Sequence, residues 1–223
     1  TDSSHGNVSQ EVCDDGICSA HAVASVIQAA EKRLGGKQES HEKLFAELAA
    51  KYGRNGTNVT EVLKETCLQK KLTYKEVSEA EGRKVLEKGE TLLATIALTP
   101  SQWKKFQRLA RQKPGNVISA ADVGKPALGE KASEHAMVMS GIDSHQKYYK
   151  IKKSWGHQHH KNTSGHHQHD KNSSHHHLHH KNSSGHHRHN RSHSGHRHDE
   201  GHVRLAFSAA RAWKVHLFQV GPN

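Results

Sequence analysis

Apolar positions along this chain keep one spacing up to about residue 70 and a different one beyond it. Ala22, Val23, Val26, Ile27, Ala30 and Leu34 recur at three- and four-residue steps. That is the spacing of one helix face, and Gly35-Gly36 supplies its stop. Ser40 is placed to cap a second helix, with Leu44, Phe45, Leu48, Ala49 and Tyr52 on one face and Gly53 after it. Asn58 and Glu61 form a capping-box pattern for a short third helix ending near Cys67. Thr1 to Val12 reads as an exposed entry strand or tail.

The second half reads as sheet. Residues 72–77 alternate like a half-buried strand, and Ser78 with Glu81 opens a short helix through Lys88. Residues 91–98 are a continuous apolar run, the pattern of a buried strand. Thr99-Pro100-Ser101-Gln102 combines a capping box with proline at the first helical position. The helix it starts sets Trp103, Phe106, Leu109 and Ala110 on one side, a packing stripe rather than a cofactor contact. Residues 114–132, punctuated by Gly and Pro, read as a loop flanking a cleft. Strands are predicted after His135, over 147–152, over 203–207 and over 213–218.

Cys18 stands in the first turn of the first predicted helix. There the macrodipole and free N–H groups favour the thiolate, the reactive form of cysteine. Gly16 leaves room for a substrate backbone to approach. On this stretch alone, a small buried apolar residue is an equal account of Cys18. A working thiolate also needs a base, which usually lies far off in sequence. His135 is the candidate, at the mouth of the strand Ala136-Met137-Val138-Met139, and Lys153-Ser154-Trp155-Gly156 follows the next strand.

With Gly16-Ile17-Cys18, His135-Ala136 through Gly141, and Lys153-Ser154-Trp155-Gly156 in this order, the chain resembles the papain-like cysteine peptidases. The resemblance spans most of residues 8–156 and 201–223. It implies an α+β fold of two lobes, a helical lobe against an antiparallel β-sheet or barrel lobe, with the site at their interface. The implied parts are 1–88 for the helical lobe, 89–156 with 201–223 for the β lobe, and 157–200 as an insertion. It implies a peptide or protein substrate cut through an acyl-enzyme, with Cys18 as nucleophile and His135 as its base. Trp155 resembles the tryptophan that shields the family's His–Asn pair, and a buried core tryptophan accounts for it equally well. Endo- against exopeptidase action, cleavage specificity, a propeptide and acyl transfer in place of hydrolysis stay open.

Two positions depart from the family pattern. Its orienting asparagine falls at Lys153, and an ammonium offers the imidazole N–H no acceptor while disfavouring imidazolium beside it. Because that third group orients rather than reacts, its loss reduces activity without having to abolish it. The family's oxyanion glutamine matches Gln10 only if two residues are inserted near Asp14-Asp15; it would act with the Cys18 backbone N–H. His21 reads as a packing or capping residue, and His145 and His216 as ordinary surface or sheet positions.

Residues 157–196 repeat every ten positions, and seventeen of the 24 histidines lie within 157–200. A period of ten fits neither heptads nor strand alternation and leaves no apolar face to bury, so a disordered insertion is expected. His157, His159, His160, His166, His167, His169, His175, His176 and His177 are candidate ligands for Zn²⁺, Cu²⁺ or Ni²⁺. Such binding needs deprotonated rings and fails below about pH 6. The bland alternative is an expanded tandem repeat tolerated in an exposed place. The competing function is therefore a catalytically impaired relative whose histidines bind metal or anionic surfaces. The peptidase chemistry itself requires no cofactor.

Composition narrows little more. Hydrophobic residues make up 32% of the chain, and the deficit is concentrated in 157–200. Of the net charge of +11, that segment holds +3. No aromatic-interleaved basic motif argues for nucleic acid, and no apolar stretch reaches membrane-spanning length. A monomer is expected. No signal peptide is recognisable at Thr1, while the resemblance implies a lysosomal or secreted setting. With Cys18 as a free nucleophile, Cys13 and Cys67 are left either as a disulfide pair or as two reduced thiols.

Overall fold

The computed structural model of the protein describes residues 15–37, 39–52, 58–152 and 202–223, with side chains from Cys18 onward. Three helices come first: α1 (Asp15–Arg33), α2 (His41–Tyr52) and α3 (Val59–Gln69). The Ser40 hydroxyl accepts from the Lys43 N–H at 3.2 Å. The Asn58 side chain accepts from the Thr60 N–H at 2.9 Å, which satisfies donors that a helix start leaves open. Strand β1 (Leu72–Val77) then leads through α4 (Glu79–Glu87) to β2 (Leu92–Leu98) and α5 (Pro100–Gln112). The capping box at Thr99 and Gln102 is present with proline at the helix start.

The expected loop at 114–132 instead holds a two-residue strand, β3 (Val117–Ile118), and a single turn of helix, α6 (Ala120–Val123). Next come β4 (Ser133–Asp143), β5 (Tyr148–Lys152), β6 (His202–Ala206), α7 (Phe207–Ala212) and β7 (His216–Pro222). Helix α7 takes Phe207, which the sequence pattern assigned to a strand end, and the residues between the two predicted strands. Trp213 closes that helix as its C-cap rather than opening a strand.

The seven strands form one sheet in the order β1-β7-β2-β4-β5-β6-β3. Every pairing is antiparallel except β3 with β6, which is parallel. The sheet is open, with β1 and β3 at its edges, where a barrel was one expected form. Strand β1, in the first half of the chain, lies against the last strand, β7.

Helices cover both faces of this sheet. One core packs α1, α2 and α3 (Val23, Ile27, Leu48, Leu63) on Leu93, Ala136, Val138 and Phe218. The other packs Trp103, Phe106 and Trp213 on Leu92, Ile96, Met137, Met139 and Tyr149. Neighbouring residues of β2 and β4 alternate between the two cores, as a pleated strand requires. This two-sided cover is why β2 is apolar at every position but Thr95: a strand facing water on one side would alternate.

Candidate active site

Cys18 is in the first turn of α1 and is 1% exposed, with Ser19 and Ala20 buried beside it. Its sulfur is disulfide-bonded, so the form present is not the thiolate that the helix start would favour. Cys67 is a free, buried thiol on the packed face of α3. Burial with no compensating charge pushes its pKa up to about 11, the environment of an inert thiol. A Cys13–Cys67 bridge, one of the two states left open by the sequence, is therefore absent; Cys13 lies outside the described residues.

The course of α1 can be traced from its contacts. Near its end, the Arg33 guanidinium donates to the Val220 carbonyl at 2.8 Å and sits 3.8 Å from the Glu90 carboxylate. Glu90 precedes β2, whose first residue, Leu92, pairs with Met139 in the latter half of β4. Midway along α1, the Ser25 hydroxyl meets His41 Nε2 at 3.1 Å, and one turn earlier the His21 ring stacks 3.7 Å from Phe45. Burial holds His41 below its ordinary 6.5, a hydrogen bond with the His21 backbone partly offsets this, and the charge of Lys152 lowers it further. Lys152 is the last residue of β5. Helix α1 thus lies over the face of the sheet that carries Leu93, Ala136, Val138 and Phe218.

His135 is the third residue of β4 and is 6% exposed. It shares its strand parity with Met137 and Met139, and it pairs with Ile96 across the ladder. Alternation therefore turns its ring to the face covered by α5, while Ala136 and Val138 carry α1. The ring stacks on Trp103 at 4.2 Å between centroids and an interplanar angle of 11°. Its Nε2 lies 3.3 Å from the Ser133 hydroxyl, two residues back on the same face of the strand. Trp103 is fixed in turn, since the Gln102 amide beside it donates to the Gly124 carbonyl at 3.0 Å. The result is an imidazole pinned on one flat side and hydrogen-bonded at one nitrogen. Both restraints limit its rotation.

Gly16 belongs to the first turn of α1. Gln10, Lys153, Trp155 and the histidines at 157, 159, 160, 166, 167, 169, 175, 176 and 177 lie outside the described residues, as do the expected entry segment and the repeat. Among the described residues, no group of three or more His, Cys, Asp or Glu is arranged to hold a metal ion. None of the described helices is long and apolar enough to cross a membrane.

The sequence reading missed the partners of His135. Trp103 was legible as a packing residue but not as the plate under the imidazole. Ser133 stood at the i−2 position, the one that shares a strand face with His135, and that spacing was the available signal.

No known family profile matches this chain, and no curated protein matches it significantly. Among solved structures, the chain is similar to xylellain, a cysteine protease from Xylella fastidiosa. That likeness covers 93% of this chain and 80% of the other at 11% identity, with a TM-score of 0.46. A superposition that loose does not align side chain with side chain.

Proposed function

We propose that this protein is a papain-like cysteine peptidase that hydrolyses peptide bonds through an acyl-enzyme. One observation carries the reading. The start of α1 with Cys18, the start of β4 with His135, and the end of β5 leading into Lys153 belong to adjoining elements, since α1 packs on β4 and β5 pairs with it. They follow one another in the chain order of the family's three motifs.

The proposed reaction begins when a dithiol reductant converts the Cys18 disulfide to two thiols and is itself oxidised to a disulfide. For His135 to take the thiol proton, its ring must turn from the α5 face of β4 to the α1 face; the sulfur then attacks the scissile carbonyl carbon. The oxyanion forms against the Cys18 backbone N–H and Gln10. Collapse breaks the C–N bond, and His135 returns the proton to the leaving amine. Water, deprotonated by His135, then attacks the thioester, releasing the carboxylate product and restoring the thiol. Trp103 and Ser133 hold the imidazole on the α5 face before that turn, while Lys153 occupies the orienting position without an acceptor to offer.

The test is intact-mass labelling with a peptidyl epoxide, before and after treatment with a dithiol, alongside Cys18→Ala and Lys153→Asn. A single adduct is expected only after reduction, absent in Cys18→Ala and formed faster in Lys153→Asn. If reduction yields no adduct in either the parent or Lys153→Asn, the peptidase reading fails.

A second reading is favoured by the disulfide and burial at Cys18 together with Lys153. In it the chain is a catalytically impaired relative, and the repeat from His157 to His177 and beyond binds transition metals or anionic surfaces. Labelling of reduced Lys153→Asn but not of the parent supports it. So does Zn²⁺ binding by calorimetry at pH 7.5 that is lost by about pH 5.5, where unperturbed imidazoles are protonated.

A further inference from the structure

A cavity of about 500 Å³ opens between α4, the turn joining β4 to β5, and α7. It lies at the end of β4 opposite His135, roughly 25 Å away along a strand rising about 3.3 Å per residue. Its size falls in the ordinary range of small-molecule sites. Three cations line it, Arg83, Lys147 and Arg211, against a single carboxylate, Glu87. The Ser144 hydroxyl holds Glu87 to one side, donating at 3.0 Å.

The cavity is built rather than incidental. Glu79 stands behind it, accepting from Arg83 at 2.9 Å and from the Tyr149 hydroxyl at 2.8 Å, with Arg211 Nε 3.9 Å away. Arg83 also donates to the Tyr149 oxygen at 3.2 Å, and its guanidinium lies 4.3 Å over the Phe207 ring. Lys147 adopts the left-handed conformation at φ 57°, and its carbonyl accepts the Phe207 N–H at 3.0 Å. That bond ties the β4–β5 turn to the start of α7, and Lys147 lines the cavity together with the arginines. Among the described residues, no carboxylate pairs with Lys147. Even with Glu79 counted, the cluster keeps a net positive charge.

We propose that this cavity is a binding site for phosphate monoesters. Two guanidinium forks, one ammonium and the Ser208 hydroxyl offer more donors than a carboxylate's two oxygens need, and a phosphate's three oxygens use them better. The monoester's charge of about −1.5 to −2 at neutral pH matches the cationic lining. The volume exceeds what a bare ion fills, so the phosphate arrives on a larger body, whose apolar part meets Phe207. This site is independent of the peptidase chemistry.

The experiment uses isothermal titration calorimetry on the full chain with two probes, phenyl phosphate and the pentapeptide Gly-Ala-phosphoSer-Ala-Gly. Phenol and the unphosphorylated peptide are the controls. At least one phosphorylated probe is expected to bind at least tenfold more tightly than its control; which one does so separates a small organic phosphate from a phosphopeptide. Arg211→Gln and Lys147→Asn are each expected to weaken that binding by about tenfold, the scale of one hydrogen bond to a charged group. Asparagine tolerates the left-handed backbone at position 147. If Lys147→Asn does not fold, Arg211→Gln decides alone, because that side chain is 71% exposed. Equal binding of the phosphorylated probes and their controls, or unchanged binding in the variants, overturns the proposal.

Discussion

His41 shows how one residue's surroundings become a measurable property of the whole. It joins the start of α2 to α1 through Ser25, under a stack with His21 and Phe45. Burial holds its pKa below 6.5, so between the folded and unfolded values the unfolded chain binds the extra proton. Stability contributed by neutral His41 is therefore full above about pH 7 and lost as pH falls from 6.5 through the lower folded value. Thermal midpoints of the parent should fall between pH 7.5 and 5.5 more steeply than those of His41→Phe, which keeps the ring and removes the titration. Parallel slopes would sink this account. At the same scale, Cys18 and Cys67 are both buried cysteines with opposite chemistry, one disulfide-bonded and the other a thiol that burial protonates.

At the scale of elements, what could be read from the chain was what is decided locally. Ser40, Asn58, Ser78 and Thr99 mark helix starts in the sequence and cap them in the structure. The capping box at Thr99 carries a quantitative expectation: Thr99→Ala should cost about 1 kcal/mol in urea unfolding, because it removes a partner from the N–H of Gln102. An unchanged urea midpoint with an unchanged slope would mean that the cap is dispensable. Strand β3 escaped prediction because two residues carry no periodicity, and it exists only through pairing with β6, some ninety positions later. Helix α7 escaped because Ala206 offers no side-chain cap. The Trp103–His135 stack was illegible for the same reason as β3, since each partner had a sufficient local explanation. The apolar run of β2 did hold an unused clue. Seven residues with almost no polar face imply cover on both sides of the sheet.

For the whole molecule, the governing fact is which residues the sheet brings side by side. The first strand closes on the last, so the two halves of the chain share one ladder. In the same sheet, Lys152 and His202 are direct partners across β5 and β6. The roughly fifty residues between them thus begin and end within one strand spacing, about 5 Å. Closing a flexible connection costs free energy only as the logarithm of its length. Excising one ten-residue copy from 157–196 should stabilise the fold by about 0.2 kcal/mol, and excising all four by about 1.5 kcal/mol. Urea unfolding of such a series checks this. A loss of several kcal/mol on removing one copy would show that the copies pack on the fold. If the series follows this logarithm, the pairing of Lys152 and His202 tolerates lengthening or shortening of the tract in ten-residue copies, thirty nucleotides at a time. On that outcome, histidine number is adjustable a copy at a time for a few tenths of a kcal/mol each.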